Sequence, residues 1–135
     1  MIFVDTGAFL ARYVKEDSQH QRARRAWAEI ERNHSRCFTS SFVLDETFTL
    51  LGRRASYSFA AERARSLLRS AALTILRPDA EDEEKAVEVF AKFADQKVSF
   101  TDCISIVLMR RNRLERAFSF DRHFASAGFE IIPKS

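Results

Sequence analysis

Four carboxylates in this 135-residue sequence stand beside apolar runs instead of in its charged stretches. Asp5 directly follows Ile2-Phe3-Val4. Glu46 shares a helical face with Phe42 and Leu50, whereas Asp45 groups with Ser41 and Thr49 on a polar side. Asp102 opens the apolar segment Cys103–Met109, and Asp121 follows Ala117-Phe118-Ser119-Phe120. An inward-pointing carboxylate needs a partner, because an unpaired buried charge is costly. Like charges brought together repel and raise one another's pKa, and a cation resolves the repulsion. With hard oxygen ligands and no His or Cys expected in the same places, Mg²⁺ or Mn²⁺ fits and zinc does not. The plain structural alternative is capping: Asp5 and Asp121 as helix N-caps, Asp102 as the third residue of a capping box behind Ser99.

Other reactive residues form weaker patterns. His20, His34 and His123 show no metal-ligand spacing and read as surface or capping residues. Cys103 has no paired base, so it reads as a core thiol, and no disulfide with Cys37 is expected. Gly7, Gly52 and Gly128 stand alone, so there is no glycine-rich phosphate loop. Arg122 follows Asp121, Arg53 and Arg54 end the Glu46 helix, and Arg110, Arg111, Arg113 and Arg116 form a basic exit from the Asp102 helix. These are candidate phosphate contacts.

The elements that must position the acids can be read from period and punctuation. Ile2–Val4, Cys37–Thr39, Leu73–Leu76, Ala117–Phe120 and Glu130–Ile132 read as short strands. Between them lie helical stretches: Ala8–Val14, one capped by Asp17 or Ser18, Phe42–Arg53 behind Ser40 or Ser41, one opened by Ser58, one behind Asp79, one behind Ser99, and a short Asp121–Ala127. The Ser58 helix shows Ala60, Ala64, Leu67, Leu68 and Ala71 on one face. The Asp79 helix shows an apolar stripe of Ala86, Val87, Phe90 and Phe93. Strands alternating with helices argue for an α/β fold, a three-layer sandwich with a mostly parallel sheet of about five strands. Ligands in such sheets bind at the carboxyl ends of the strands, where Asp5 and Asp121 fall.

Composition narrows the field further. Lys and Arg total 22 against 19 for Asp and Glu, leaving a net charge of +3. Gly 3 and Pro 2 exclude collagen-like and linker-rich chains. The length fits one domain over residues 1–135. No run approaches a membrane span, and Met1-Ile2-Phe3-Val4-Asp5 reads as a strand, not a signal peptide. With two unpaired cysteines, a cytoplasmic protein is expected.

Taken in order, Val4-Asp5-Thr6, Leu44-Asp45-Glu46, Val98-Ser99-Phe100-Thr101-Asp102-Cys103 and Phe118-Ser119-Phe120-Asp121-Arg122-His123-Phe124 resemble the motifs of the PIN-domain family. They are most similar to the VapC-type toxin ribonucleases of toxin–antitoxin pairs. The resemblance implies an α/β/α fold and Mg²⁺-dependent endonucleolytic cleavage of RNA, with Mn²⁺ as a substitute. It also implies homodimers and inhibition by a cognate antitoxin, with DNA met only through that antitoxin and no membrane partner. Asp5, Glu46, Asp102 and Asp121 match the acidic quartet, Asp5 and Asp102 as the principal metal ligands. Thr6 and Ser119 fall where the family has small polar residues near the site, and Arg122 is placed at the substrate. Water activated by the cation would attack phosphorus in line. The alternative is a non-catalytic module whose acidic pocket holds a partner's arginine.

Overall fold

The computed structural model describes residues 1–134. Five strands form one sheet: β1 (Ile2–Val4), β2 (Cys37–Ser40), β3 (Leu73–Leu76), β4 (Arg116–Phe118) and β5 (Glu130–Ile132). All pairings are parallel, in the order β3-β2-β1-β4-β5. Seven α-helices flank it: α1 (Thr6–Tyr13), α2 (His20–Arg32), α3 (Ser41–Arg54), α4 (Tyr57–Arg69), α5 (Ala80–Lys92), α6 (Phe100–Arg111) and α7 (His123–Ser126). The expected α/β architecture is the observed one. After β3 the chain reverses its direction of travel across the sheet. With right-handed crossovers, that reversal is what covers both faces with helices.

Strand composition tracks strand position. β1 and β2 are buried along their whole length, so they are apolar or hydrogen-bonded throughout. Thr39, buried in β2, gives its hydroxyl proton to Val4 O at 2.8 Å. The edge strands β3 and β5 are only partly buried. Phe3, Phe9, Phe118 and Phe124 are fully buried, and Trp27 packs against Phe9 and Phe118 at ring separations of 5.8 and 5.0 Å. Cys37 and Cys103 are buried and unbridged.

Several boundaries and faces differ from the sequence reading. α4 begins at Tyr57, because Ser56 accepts the Phe59 N–H at 3.1 Å. Neither Asp17 nor Ser18 caps α2; Asp17 instead accepts the Gln19 N–H at 2.9 Å, and Gln19 takes the cap position. β4 ends at Phe118, two residues early, where the Ser119 hydroxyl accepts the Asp121 N–H at 3.0 Å and turns the chain. α5 buries Ala86 and Val89, with Phe93 buried just past its end, a narrower stripe than expected, and leaves Val87 and Phe90 exposed at 55% and 47%. Of the expected α4 face, Ala60 is buried while Leu68 is exposed.

Candidate active site

Strand order reverses on either side of β1, so the crevice between the carboxyl ends of β1 and β4 is the topological switch point. Register places Val4 opposite Phe118, and the Asp5 N–H donates to Phe118 O at 3.0 Å. Asp5 and Ser119 are thereby side by side. Asp5 occupies the N-cap position of α1, but its carboxylate caps nothing. Its Oδ2 accepts from Ser119 Oγ at 2.9 Å, and its Oδ1 is buried without a partner.

Three further elements deliver the remaining acids. Ser99 caps α6 by accepting the Asp102 N–H at 3.1 Å, which fixes Asp102 in the first turn. Glu46 sits in the second turn of α3, half-buried. Asp121 follows the Ser119 turn, and its Oδ1 accepts the His123 N–H at 3.0 Å. That turn brings the His123 ring back: Nδ1 lies 2.8 Å from Asp121 Oδ1 and 3.5 Å from Asp102 Oδ2. Neither approach is aligned as a hydrogen bond, so Nδ1 is also unpartnered.

These residues line one cleft of about 390 Å³, together with Thr6, Ser99, Lys97 and Phe120. Burial, then the Asp102 charge, pushes the Asp5 carboxyl up to about 8, against the opposing pull of the Ser119 hydrogen bond. Burial and then Asp121 raise Asp102 to about 6, with Glu46 adding to the rise and the His123 ring opposing it. Among the described residues, four buried side-chain polar atoms lack partners; three of them, Asp5 Oδ1, Thr6 Oγ1 and His123 Nδ1, belong to this cleft. Ligand atoms of Asp102, Asp121 and His123 lie within 4.8 Å of one another. Crowded acids with raised pKa values and unused lone pairs fit a divalent cation, which would hold the carboxylates ionised.

Residues 2–130 match the family model described as the PIN domain. This chain belongs to the PIN-domain family. Within it, the chain falls among the VapC ribonucleases. It is 36% identical over 135 residues to the 23S rRNA-specific endonuclease VapC20 of Mycobacterium tuberculosis, covering 99% of this chain and 100% of that protein. It is 32% identical over 125 residues to a VapC ribonuclease of Archaeoglobus fulgidus, covering 90% of this chain and 78% of the relative. The crystal structure of M. tuberculosis VapC20, described as a Sarcin-Ricin loop cleaving toxin, superposes with a TM-score of 0.87 at 34% identity, over 96% of each chain. VapBC2 of Rickettsia felis, solved on a promoter DNA fragment, matches at a TM-score of 0.70 over 97% of each chain; at 12% identity it speaks for the fold alone.

The four acids read from the sequence therefore meet in one cleft of this PIN domain. Thr6 lines it, with a buried hydroxyl. Ser119 lies behind the acids, almost fully buried, and acts on Asp5 and Asp121. Arg122 is exposed and outside the lining. Arg54 pairs with Asp17 at 3.1 Å, and Arg111 with Asp82 at 3.1 Å. The expectation that no histidine shares the site is overturned by His123. The Asx turn at Asp121 explains it: the residue two positions on is folded back toward the acid. Lys97 was missed as well, and no pattern in the sequence marks it.

Proposed function

We propose that this PIN-domain protein is a divalent-metal-dependent endoribonuclease and the toxin of a toxin–antitoxin pair. The observation that carries the reading is the meeting of four acids at the switch point, with Asp5 Oδ1 and Thr6 Oγ1 left unpartnered beside them and the His123 ring against two of the acids. The names of the VapC relatives, which cut RNA, support it. Asp5 and Asp102 are the principal ligands, and Glu46 and Asp121 complete the set. Mg²⁺ is the expected ion and Mn²⁺ its substitute, because carboxylates dominate the donors even with His123 present. Such an ion supplies Lewis-acid activation of water and phosphate.

The chain's own residues do the positioning. Ser119 donates to Asp5, which orients the carboxylate and favours its ionised form against the cost of burial. It also accepts from the Asp121 backbone, tying the two acids to one hydroxyl. Thr6 lines the cleft beside Asp5, and its hydroxyl is buried there without a partner. Attack by water on phosphorus forms the new P–O bond as the P–O3′ bond breaks, and a proton passes to the leaving oxygen. The products carry a 5′-phosphate and a 3′-hydroxyl. The expected partners are a second copy of the chain and an antitoxin, with DNA reached only through the antitoxin. No helix among the described residues is long and apolar enough to cross a membrane, and a cytoplasmic setting is part of the proposal.

Mapping the 5′ ends of cellular RNA after brief expression tests the reading. Discrete new 5′-phosphate ends, absent for Asp102→Asn, are expected. If Asp102→Asn cuts as the wild type does while melting at a lower temperature in EDTA, the acids build the fold and do not run the chemistry.

A further inference from the structure

Lys97 occupies a position that local physics would give to glycine. It ends a 3-10 turn (Ala94–Gln96) in the left-handed region, with φ 53° and ψ 42°. A side chain there is sterically disfavoured, and glycine or asparagine is the usual occupant of such a cap. The backbone has little room to relax. Val98, the next residue, is buried in the core, and Ser99 caps the helix that carries Asp102.

The residue held in this way lines the same cleft as the four acids. Lys97 is exposed. Among the described residues it makes no ion pair within 4.0 Å, although four carboxylates share its cleft. The His123 ring also lines the cleft, and it lies against Asp121 and Asp102. Arg122 is outside the lining, and Arg54 and Arg111 are paired elsewhere. With a cation among the acids, Lys97 is the lysine or arginine of the lining left without an ion pair. A compact ammonium on a flexible stem is a point-charge partner for a phosphate oxygen.

We propose that Lys97 binds a backbone phosphate of the RNA held over the acidic cleft, and that its left-handed backbone is retained to aim the side chain there. The proposal rests on the endoribonuclease reading. It adds a substrate contact that neither the motifs nor the acid cluster assigns.

Three variants test it: Lys97→Met, Lys97→Gly and Lys97→Arg. Cleavage of an RNA that the wild type cuts gives kcat/KM. Binding of a labelled single-stranded RNA to Asp102→Asn, with and without Lys97→Met, gives the salt dependence. Mn²⁺ calorimetry and EDTA melts report on the scaffold. Losing one charge-assisted hydrogen bond should lower kcat/KM about ten- to a hundredfold in the Met and Gly variants. The slope of log K against log salt should shrink by about 0.7, one phosphate's share for a single strand. Lys97→Arg should keep most of the activity. Lys97→Gly should melt no lower than the wild type, since it relieves the left-handed backbone, and Mn²⁺ affinity should not fall. Wild-type cleavage with an unchanged salt slope in Lys97→Met overturns the assignment. So does a loss of activity that merely follows a loss of Mn²⁺ affinity or of stability. A wild type that cuts no RNA with any divalent ion instead removes the ribonuclease reading, and Lys97 with it.

Discussion

Ser119 shows how much one hydroxyl can organise. It donates to Asp5 Oδ2 at 2.9 Å and accepts the Asp121 N–H at 3.0 Å, so two acids from distant parts of the chain share one small residue. Without its proton, the buried Asp5 carboxylate would lose the hydrogen bond that restrains its rise toward about 8. Ser119→Ala should therefore weaken Mn²⁺ binding about tenfold or more, a charge-assisted hydrogen bond's worth. The loss should be greater below pH about 8 than above it, because protons then compete for Asp5. Calorimetric titration at several pH values checks this, and an unchanged Mn²⁺ affinity would show that Ser119 only turns the chain. At this scale the sequence was legible for the acids and silent about their helpers. A carboxylate beside an apolar run announces itself through the cost of burial. Lys97 looks like any surface lysine, and only its backbone angles and its cleft distinguish it. His123 was visible inside the Asp121-Arg122-His123 segment, but its ring direction depends on a turn that spacing alone does not reveal.

At the scale of elements, caps do two jobs that can be separated. Ser99 and Ser56 each accept an N–H at 3.1 Å, opening α6 and α4 respectively. Only α6 carries an acid in its first turn. Both Ser→Ala variants should lose about 1 kcal/mol of stability, the usual cost of an N-cap. Only Ser99→Ala should also lose Mn²⁺ affinity and cleavage rate, since it loosens the turn that holds Asp102. Denaturant melts beside a cleavage assay decide between them, and equal activity in the two variants would mean that the cap does not position the acid. Elements were legible where one signal dominated. The wholly apolar β1 and the acidic start of α5 are such cases; the latter is closed by a reciprocal capping box between Asp79 and Asp82 at 2.8 and 2.9 Å. They were misread where apolar residues outnumber buried ones. α5 has more apolar side chains than its contact with the fold can cover, so Val87 and Phe90 face out, Phe90 meeting Phe100 at 5.8 Å by its ring edge. Periodicity counts apolar positions on an arc; it does not know how wide the contact is.

Across the whole molecule, the fold concentrates charge where stability is most exposed to it. The parallel order β3-β2-β1-β4-β5 puts Asp5, the Ser119 turn and the start of α6 at one crevice, and the buried acids there oppose folding once ionised. Asp5 at about 8 and Asp102 at about 6 both lie above the ordinary value of 3.8. Between those values the folded protein binds more protons than the unfolded chain, so raising the pH strips protons from buried groups and stability falls. The contribution of these two acids is thus greatest near pH 4 and has been lost by about pH 8. A divalent cation opposes the dependence, because it requires the ionised carboxylates and stabilises only the folded state. In EDTA, the melting temperature should therefore decline as pH rises through this window. With millimolar Mn²⁺ it should decline less, and the gap between the two curves should widen with pH. Asp5→Asn removes the group with the larger shift, and should flatten the EDTA curve while narrowing the gap. Calorimetric melts of both proteins, with and without Mn²⁺, supply the four curves. If the wild-type EDTA curve is flat or rises from pH 4 to 8, Asp5 and Asp102 are not a crowded, buried pair, and no repulsion between them calls for a cation.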